Sequence, residues 1–144
     1  MDKPIYVLNG PNLNRLGKRE PALYGATTLA EVEAMCREAV GARAIVFRQS
    51  NAESQMIDWV HEAIDGAAGI VINPAGLTTT SVSLMDALKM FPGPIFELHI
   101  TNIFGRDAIY RDSLVARVAS AVIAGLGPEG YRVAVEAMAR RLAA

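Results

Sequence analysis

Four times along the chain a short apolar run stops abruptly in polar, asparagine-bearing sequence. Residues 4–8 (PIYVL) run into Asn9-Gly10-Pro11, residues 43–47 (RAIVF) into Arg48-Gln49-Ser50-Asn51, residues 69–72 (GIVI) into Asn73-Pro74, and residues 95–100 (IFELHI) into Thr101-Asn102. Runs that are apolar throughout, rather than alternating, mark strands buried on both faces, and Gly, Pro and Asn end them. Helical patterns lie between. Residues 28–40 open with the capping-box spacing Thr28-x-x-Glu31, residues 53–64 place Met56, Ile57, Val60 and Ile64 on one stripe, and residues 81–90 predict a third helix. Strand and helix alternating through such short connections imply right-handed crossovers and a parallel sheet covered on both faces, an α/β three-layer sandwich. By periodicity alone residues 118–126 (VASAVIAGL) suit a strand or a helix. We read them as a fifth strand, followed by a last helix that starts around Gly127-Pro128-Glu129-Gly130 and buries Tyr131, Val135, Met138 and Leu142. With no internal repeat or linker, residues 1–144 read as a single domain.

Composition narrows the partners. Lys plus Arg number 14 against 15 Asp plus Glu, a formal net charge of -1, which offers no broad field to nucleic acid or to an anionic membrane surface. No stretch approaches the roughly 20 apolar residues of a spanning helix, and MDKPIYVLNG enters a strand without a charged-then-apolar leader, so a cytoplasmic location is expected. Cys36 is the sole cysteine and falls mid-way along a predicted helix, where a buried inert thiol in a reducing compartment is the reading. Hydrophobic residues make up 51% of the chain, more than a small domain easily hides, and self-association is expected.

In an open parallel sheet, ligands bind beyond the carboxyl ends of the strands, where loops converge. Asn9, Asn12, Asn51, Asn73, His99, Thr101 and Asn102 all fall on that edge, although each asparagine also serves as an ordinary turn former. Glu97 and His99, at i and i+2 of one strand, share a face. There the carboxylate can hold the imidazole tautomer and favour its protonated form, making His99 a candidate general acid, or the two can be a structural pair. His61, beside Glu62 on a helix flank, reads as solvated. Residues 10–25 (GPNLNRLGKREPALYG) are long for a connection and carry Arg15, Lys18, Arg19 and Tyr24, which suits an active-site lid. An ordinary phenol titrates near pH 10, and bringing one into use as a base at neutral pH takes roughly 4 kcal/mol. One or two arginines over a closed site can supply that; a packing or surface role for Tyr24 stays open. Neither a G-x-G-x-x-G nor a P-loop follows the first strand, NGPNLN lacks the hydroxyls of a flavin phosphate loop, and no Cys, His or carboxylate grouping shows metal-ligand spacing. No cofactor and no metal are expected.

Taken together, VLNGPNLNRLGKREPALYG, FRQSN, INPAG with TTS, and FELHITN resemble the type II 3-dehydroquinate dehydratases over almost the whole chain. The resemblance implies a flavodoxin-like five-stranded parallel sheet, no cofactor, and trimers assembled into a dodecamer. It also implies a hydro-lyase of the shikimate pathway that removes water from 3-dehydroquinate by anti elimination through an enolate, giving 3-dehydroshikimate. Carried over by position, Tyr24 is the base, Arg19 stabilises its phenolate from the lid, and Asn12 holds the water at the enolate oxygen. His99, oriented by Glu97, protonates the departing hydroxyl. The Asn73 side chain and the backbone N–H groups of Ile100 and Thr101 receive the substrate carboxylate, while Arg111 and Asp86 contact ring hydroxyls, Asp86 from a neighbouring subunit.

Departures from the family pattern gather on the pocket wall. Leu77-Thr78-Thr79-Thr80-Ser81 stands where Tyr-Thr-His-Thr-Ser is usual, so Thr79 replaces a histidine that binds a substrate hydroxyl. Ala52 and Gln55 replace a His and a Glu, Met85 a basic residue, and Phe104-Gly105 a His-Ala pair. A missing buried hydrogen bond can shift specificity strongly, which leaves two alternatives beside the family reaction: related chemistry on another small cyclic or β-hydroxy acid, or a non-catalytic small-molecule binder.

Overall fold

The first apolar run forms β1 (Ile5–Asn9), and all five of its residues are buried, because strands flank it on both sides and helices cover both faces. The computed structural model describes residues 2–144. After β1 come a short helix α1 (Pro21–Tyr24), α2 (Leu29–Val40), β2 (Ile45–Gln49), α3 (Glu53–Gly66) and β3 (Gly69–Asn73). A single-turn helix α4 (Leu77–Thr80), α5 (Val82–Lys89), β4 (Ile95–His99), β5 (Ala121–Ala124) and α6 (Glu129–Ala143) complete the chain. The five strands are all parallel, in the order β2-β1-β3-β4-β5.

Alternation along the strands sorts the core into two layers. Ile5, Val7, Val71, Phe96 and Leu98 pack with Val32 and Cys36 of α2 and with Tyr131, Ala134, Val135 and Met138 of α6. On the opposite face Tyr6, Leu8, Ile70, Ile72 and Ile95 pack with Met56, Val60 and Ala63 of α3 and with Leu84, Ala87 and Leu88 of α5. Of the expected stripe, Tyr131, Val135 and Met138 are fully buried and Leu142 is half-buried against the same cluster, and Cys36 lies within this core, where burial pushes its thiol up to about 12.

Local chemistry sets the helix starts. Thr28 Oγ1 accepts from the Glu31 amide at 3.2 Å while Glu31 Oε1 accepts from the Thr28 amide at 3.1 Å, the reciprocal capping box predicted for α2. Ser81 Oγ accepts from Leu84 N at 2.9 Å to cap α5, one residue into the predicted 81–90 span.

All five strands shift from their expected bounds, by a single residue at one or both ends in β1, β3 and β4 and by more in the two edge strands, β2 and β5. β2 begins at Ile45 and continues through Arg48 and Gln49, because parallel pairing with β1 carries the register on to Asn9 against Gln49; polar residues end an apolar run without ending an edge strand. The fifth strand contracts from residues 118–126 to Ala121–Ala124. Its pairing opens where Ser120 N donates to Ile95 O and ends at Gly125, whose φ of 91° turns the chain away.

At the switch in strand order, β1 and β3 lie side by side while their following loops diverge to opposite faces. The exits touch: Gly10 N donates to Asn73 O at 2.8 Å, and a Cβ on Gly10 would stand 2.5 Å from the Pro74 carbonyl oxygen. Gly10→Ala is therefore predicted to destabilise the fold by about 1–3 kcal/mol through overpacking, measured as a lowered urea midpoint. An unchanged midpoint would contradict so close an approach.

Candidate active site

Beyond the carboxyl ends of β1, β3 and β4 lies a cavity of about 160 Å³. Its floor comes from the strand ends and the loops leaving them: Asn12, Asn73, Thr78, His99, Ile100 and Thr101. The long connection after β1 folds over it and brings Arg19 and Tyr24 to the cavity, and the segment after β4 adds Ile103, Arg106 and Tyr110.

Glu97 and His99 occupy one face of β4, as the i, i+2 spacing requires. The Glu97 side chain has no solvent exposure and His99 only 5%. Glu97 Oε2 takes the His99 Nε2 hydrogen bond, a bond from Ser113 Oγ at 2.7 Å and one from Thr78 Oγ1 at 3.0 Å. Burial by itself would raise the Glu97 carboxyl, but the hydrogen bonds of His99, Ser113 and Thr78, with the attraction of His99, outweigh it and hold the group below its ordinary value. Two hydroxyl protons serve three contacts here, since Thr78 Oγ1 and Ser113 Oγ also lie 2.5 Å apart. Ser113 Oγ accepts from Ala116 N at 3.1 Å, which leaves its own proton for Glu97. An ionised carboxylate only accepts, so Nε2 carries the proton of the His99–Glu97 bond. Among the described residues, His99 Nδ1 has no hydrogen-bond partner in the chain, so this nitrogen is available to a ligand.

On the lid side, Arg106 Nη1 donates to the Tyr24 hydroxyl oxygen at 3.2 Å and to Thr101 Oγ1 at 3.4 Å. The Arg19 guanidinium carbon stands 5.0 Å from the Tyr24 ring centroid, and that of Arg106 stands 4.2 Å from the Tyr110 ring. Two cations thus stand near Tyr24, Arg19 at its ring and Arg106 at its hydroxyl. Asn12 adopts φ 73°, and its amide donates to Asn51 Oδ1 at 2.9 Å. Among the described residues, neither the Ile100 nor the Thr101 amide donates to an acceptor within the chain, leaving two adjacent N–H donors at the end of β4.

Of the residues given a catalytic or binding role by the resemblance, Asn12, Arg19, Tyr24, Asn73, His99, Ile100 and Thr101 line the cavity, and Glu97 lies behind His99; Asn9, Arg15, Lys18, Asn51 and Asn102, also singled out, do not line it. Three others with such a role do not reach it within one chain. Thr79 Oγ1 donates to Gly76 O at 3.0 Å, and it is the neighbouring Thr78 that lines the cavity. Arg111 is exposed and donates from Nε to Arg106 O at 3.0 Å. Asp86 sits exposed on α5, 3.6 Å from Lys89 Nζ. Sequence reasoning passed over Thr78, Arg106, Tyr110 and Ser113. A basic residue in the loop leaving a strand was the available signal for Arg106; Ser113 carried none.

A carboxyl held below its unfolded-state value of 4.5 contributes stability that is complete above that value and is lost as pH falls through the lower folded one. Stability measured by urea unfolding between neutral and acid pH is accordingly predicted to fall more steeply in the wild type than in Glu97→Gln. Equal slopes would show that Glu97 is not held ionised by its donors.

Residues 3–139 match the family model described as dehydroquinase class II. The 3-dehydroquinate dehydratase of Chelativorans sp. is 49% identical over 145 residues, covering 99% of this chain and all of that protein. In Agrobacterium fabrum, 3-dehydroquinate dehydratase 2 is 54% identical over 132 residues, covering 90% of this chain and 89% of its own. Among solved structures, the type II dehydroquinase of Propionibacterium acnes superposes with a TM-score of 0.92 at 39% identity, over 97% of this chain and 98% of that one.

Proposed function

The chain belongs to the class II dehydroquinase family, and from that membership we propose how its own residues dehydrate 3-dehydroquinate to 3-dehydroshikimate without a cofactor. The activity is that of a hydro-lyase. The observation that carries the mechanism is a phenol hydroxyl bonded by Arg106 in the same cavity as a histidine locked to a buried carboxylate.

Tyr24, as phenolate, takes the proton from the carbon next to the ketone, and the C–H electrons move into the enolate. Arg106, bonded to the phenol oxygen at 3.2 Å, and Arg19, 5.0 Å from the ring centroid, offset the negative charge, an attraction that a partly enclosed site strengthens. Asn12 holds a water against the enolate oxygen. As the enolate collapses, the carbon–oxygen bond to the β-hydroxyl breaks and His99 delivers a proton to it, so that one water leaves and one carbon–carbon double bond forms. The Glu97 carboxylate beneath offsets the imidazolium charge and fixes the ring's orientation. The carboxylate of the substrate is received by the Asn73 amide and the N–H groups of Ile100 and Thr101, neutral donors aimed at an anion. Arg111 contacts a ring hydroxyl by leaving its present bond to Arg106 O, Thr79 stays on Gly76 O, and Asp86 reaches a neighbouring subunit's site.

That last role requires assembly, and we propose the trimer-based dodecamer in a cytoplasmic setting. Phe104, Ile109, Val122 and Leu126 leave large apolar side chains exposed on the β4–β5 side of one chain, surface that association would cover. No helix among the described residues is long and apolar enough to cross a membrane.

Mixing enzyme with 3-dehydroquinate is predicted to generate the ultraviolet absorbance of the conjugated enone. Tyr24→Phe and His99→Ala should each lower kcat by about 10²–10⁴-fold, the usual share of a proton-transfer group. Flat absorbance from folded wild-type protein, or turnover indifferent to Tyr24→Phe, would overturn these assignments.

A further inference from the structure

Tyr131, in the first turns of α6, is fully buried, yet its hydroxyl is committed at both ends. It donates to Asn9 Oδ1 at 2.7 Å and accepts from Asn73 Nδ2 at 2.9 Å. Asn9 Nδ2 in turn donates to Arg48 O at 3.0 Å, and Asn73 Oδ1 accepts from Ala75 N at 3.2 Å. Fixed backbone groups terminate this chain of bonds, and they settle its direction. A carbonyl only accepts, so Asn9 must present Nδ2 to Arg48 and Oδ1 to the phenol. The phenol then spends its single proton on Asn9 and can only accept from Asn73. An amide N–H only donates, so Asn73 must present Oδ1 to Ala75. Both side-chain amides are therefore oriented without ambiguity, and burial holds the Tyr131 hydroxyl well above its ordinary range, keeping it a donor.

Asn73 also lines the cavity. With one Nδ2 proton on Tyr131 and Oδ1 on Ala75, the second Nδ2 proton is uncommitted among the described residues. We propose that Tyr131 is a positioning residue that aims this N–H at the substrate carboxylate: the Ala75 N–H sets which end of the Asn73 amide carries oxygen, and the phenol, by holding the other Nδ2 proton, fixes the plane of the group. The inference rests on the reading of Asn73 as a carboxylate receiver and extends the site to a helix that does not line the cavity. A phenylalanine at 131 would fill the same space while removing the acceptor that holds one Nδ2 proton and with it the plane of the amide.

In folded Tyr131→Phe enzyme, KM for 3-dehydroquinate is expected to rise about ten-fold or more, the scale of one charge-assisted hydrogen bond. The value of kcat should stay within about three-fold and its pH profile unmoved, because the proton-transfer groups are untouched. In an Asn73→Ala background the same substitution should add nothing to KM. An unmoved KM in folded Tyr131→Phe, or equal increases in the two backgrounds, overturns the proposal. If Asn73→Ala itself leaves KM unchanged, the reading of Asn73 fails first and takes this inference with it. Should Tyr131→Phe not fold, NMR on the wild type decides: titration with 3-dehydroshikimate is expected to shift one Asn73 Nδ2 proton and leave its Tyr131-bonded twin in place. Movement of neither proton, or of both alike, contradicts the proposal.

Discussion

A carboxylate shut away from solvent, Glu97, is the interaction from which the rest of the site is built. Removing an ion from water costs several kcal/mol unless hydrogen bonds replace the lost hydration. Here three side chains converge on one of its oxygens, each from a different part of the chain: His99 from β4 itself, Thr78 from α4 and Ser113 from the connection leading to β5. That convergence ties the exit of β3 and the long segment after β4 to the centre of the sheet. The other oxygen, Oε1, is buried without a partner among the described residues, so the bonds on Oε2 carry the ion and losing any of them is costly; the three segments are thereby held in one arrangement, and His99 with them.

The other half of the floor has no charge in it. Asn9 and Asn73 leave adjacent strands at the point where the strand order switches, and a phenol from α6 bridges them. Glu97 and His99 project to the α3–α5 face of the sheet and the asparagines to the α2–α6 face, so the two networks grip the sheet's carboxyl edge from opposite sides. Over this fixed floor lies a lid built of short turns, with Glu20 at φ 40° and Gly25 at φ 83° at the ends of α1. On the proposed mechanism the acid sits on the rigid floor and the base on the lid, so the proton-transfer set is complete only when the lid lies over the substrate.

How much of this could be read from residues alone follows from the range of each interaction. The parallel sheet was legible because β1 and β3 are uninterrupted apolar runs closed by Asn, Gly or Pro, and the Glu97–His99 pair because strand geometry puts i and i+2 on one face. The edge strands were less legible: Arg48 and Gln49 belong to β2 through pairing with β1, and Val118 falls outside β5 because pairing with β4 begins only at Ser120. Thr78 and Thr79 show the limit most plainly. Three consecutive threonines form a single helical turn, and which hydroxyl reaches Glu97 depends on where that turn starts, a matter set by contact with Gly76 and Ser113. Ser113 and Arg106 reach their partners through a connection of irregular turns whose path no periodicity announces. Tyr131 was visible as a core position, but its hydroxyl acquires meaning only beside two asparagines more than fifty residues away.

The central claim is that a lid phenol and a floor imidazole act on one ligand. A crystal structure of the protein with 3-dehydroshikimate bound tests it most directly. The account predicts the product ring in the cavity, with the Tyr24 oxygen against the carbon next to the ketone and the His99 ring against the carbon that lost its hydroxyl. Product bound outside the cavity, or touching only one of the two rings, would contradict it.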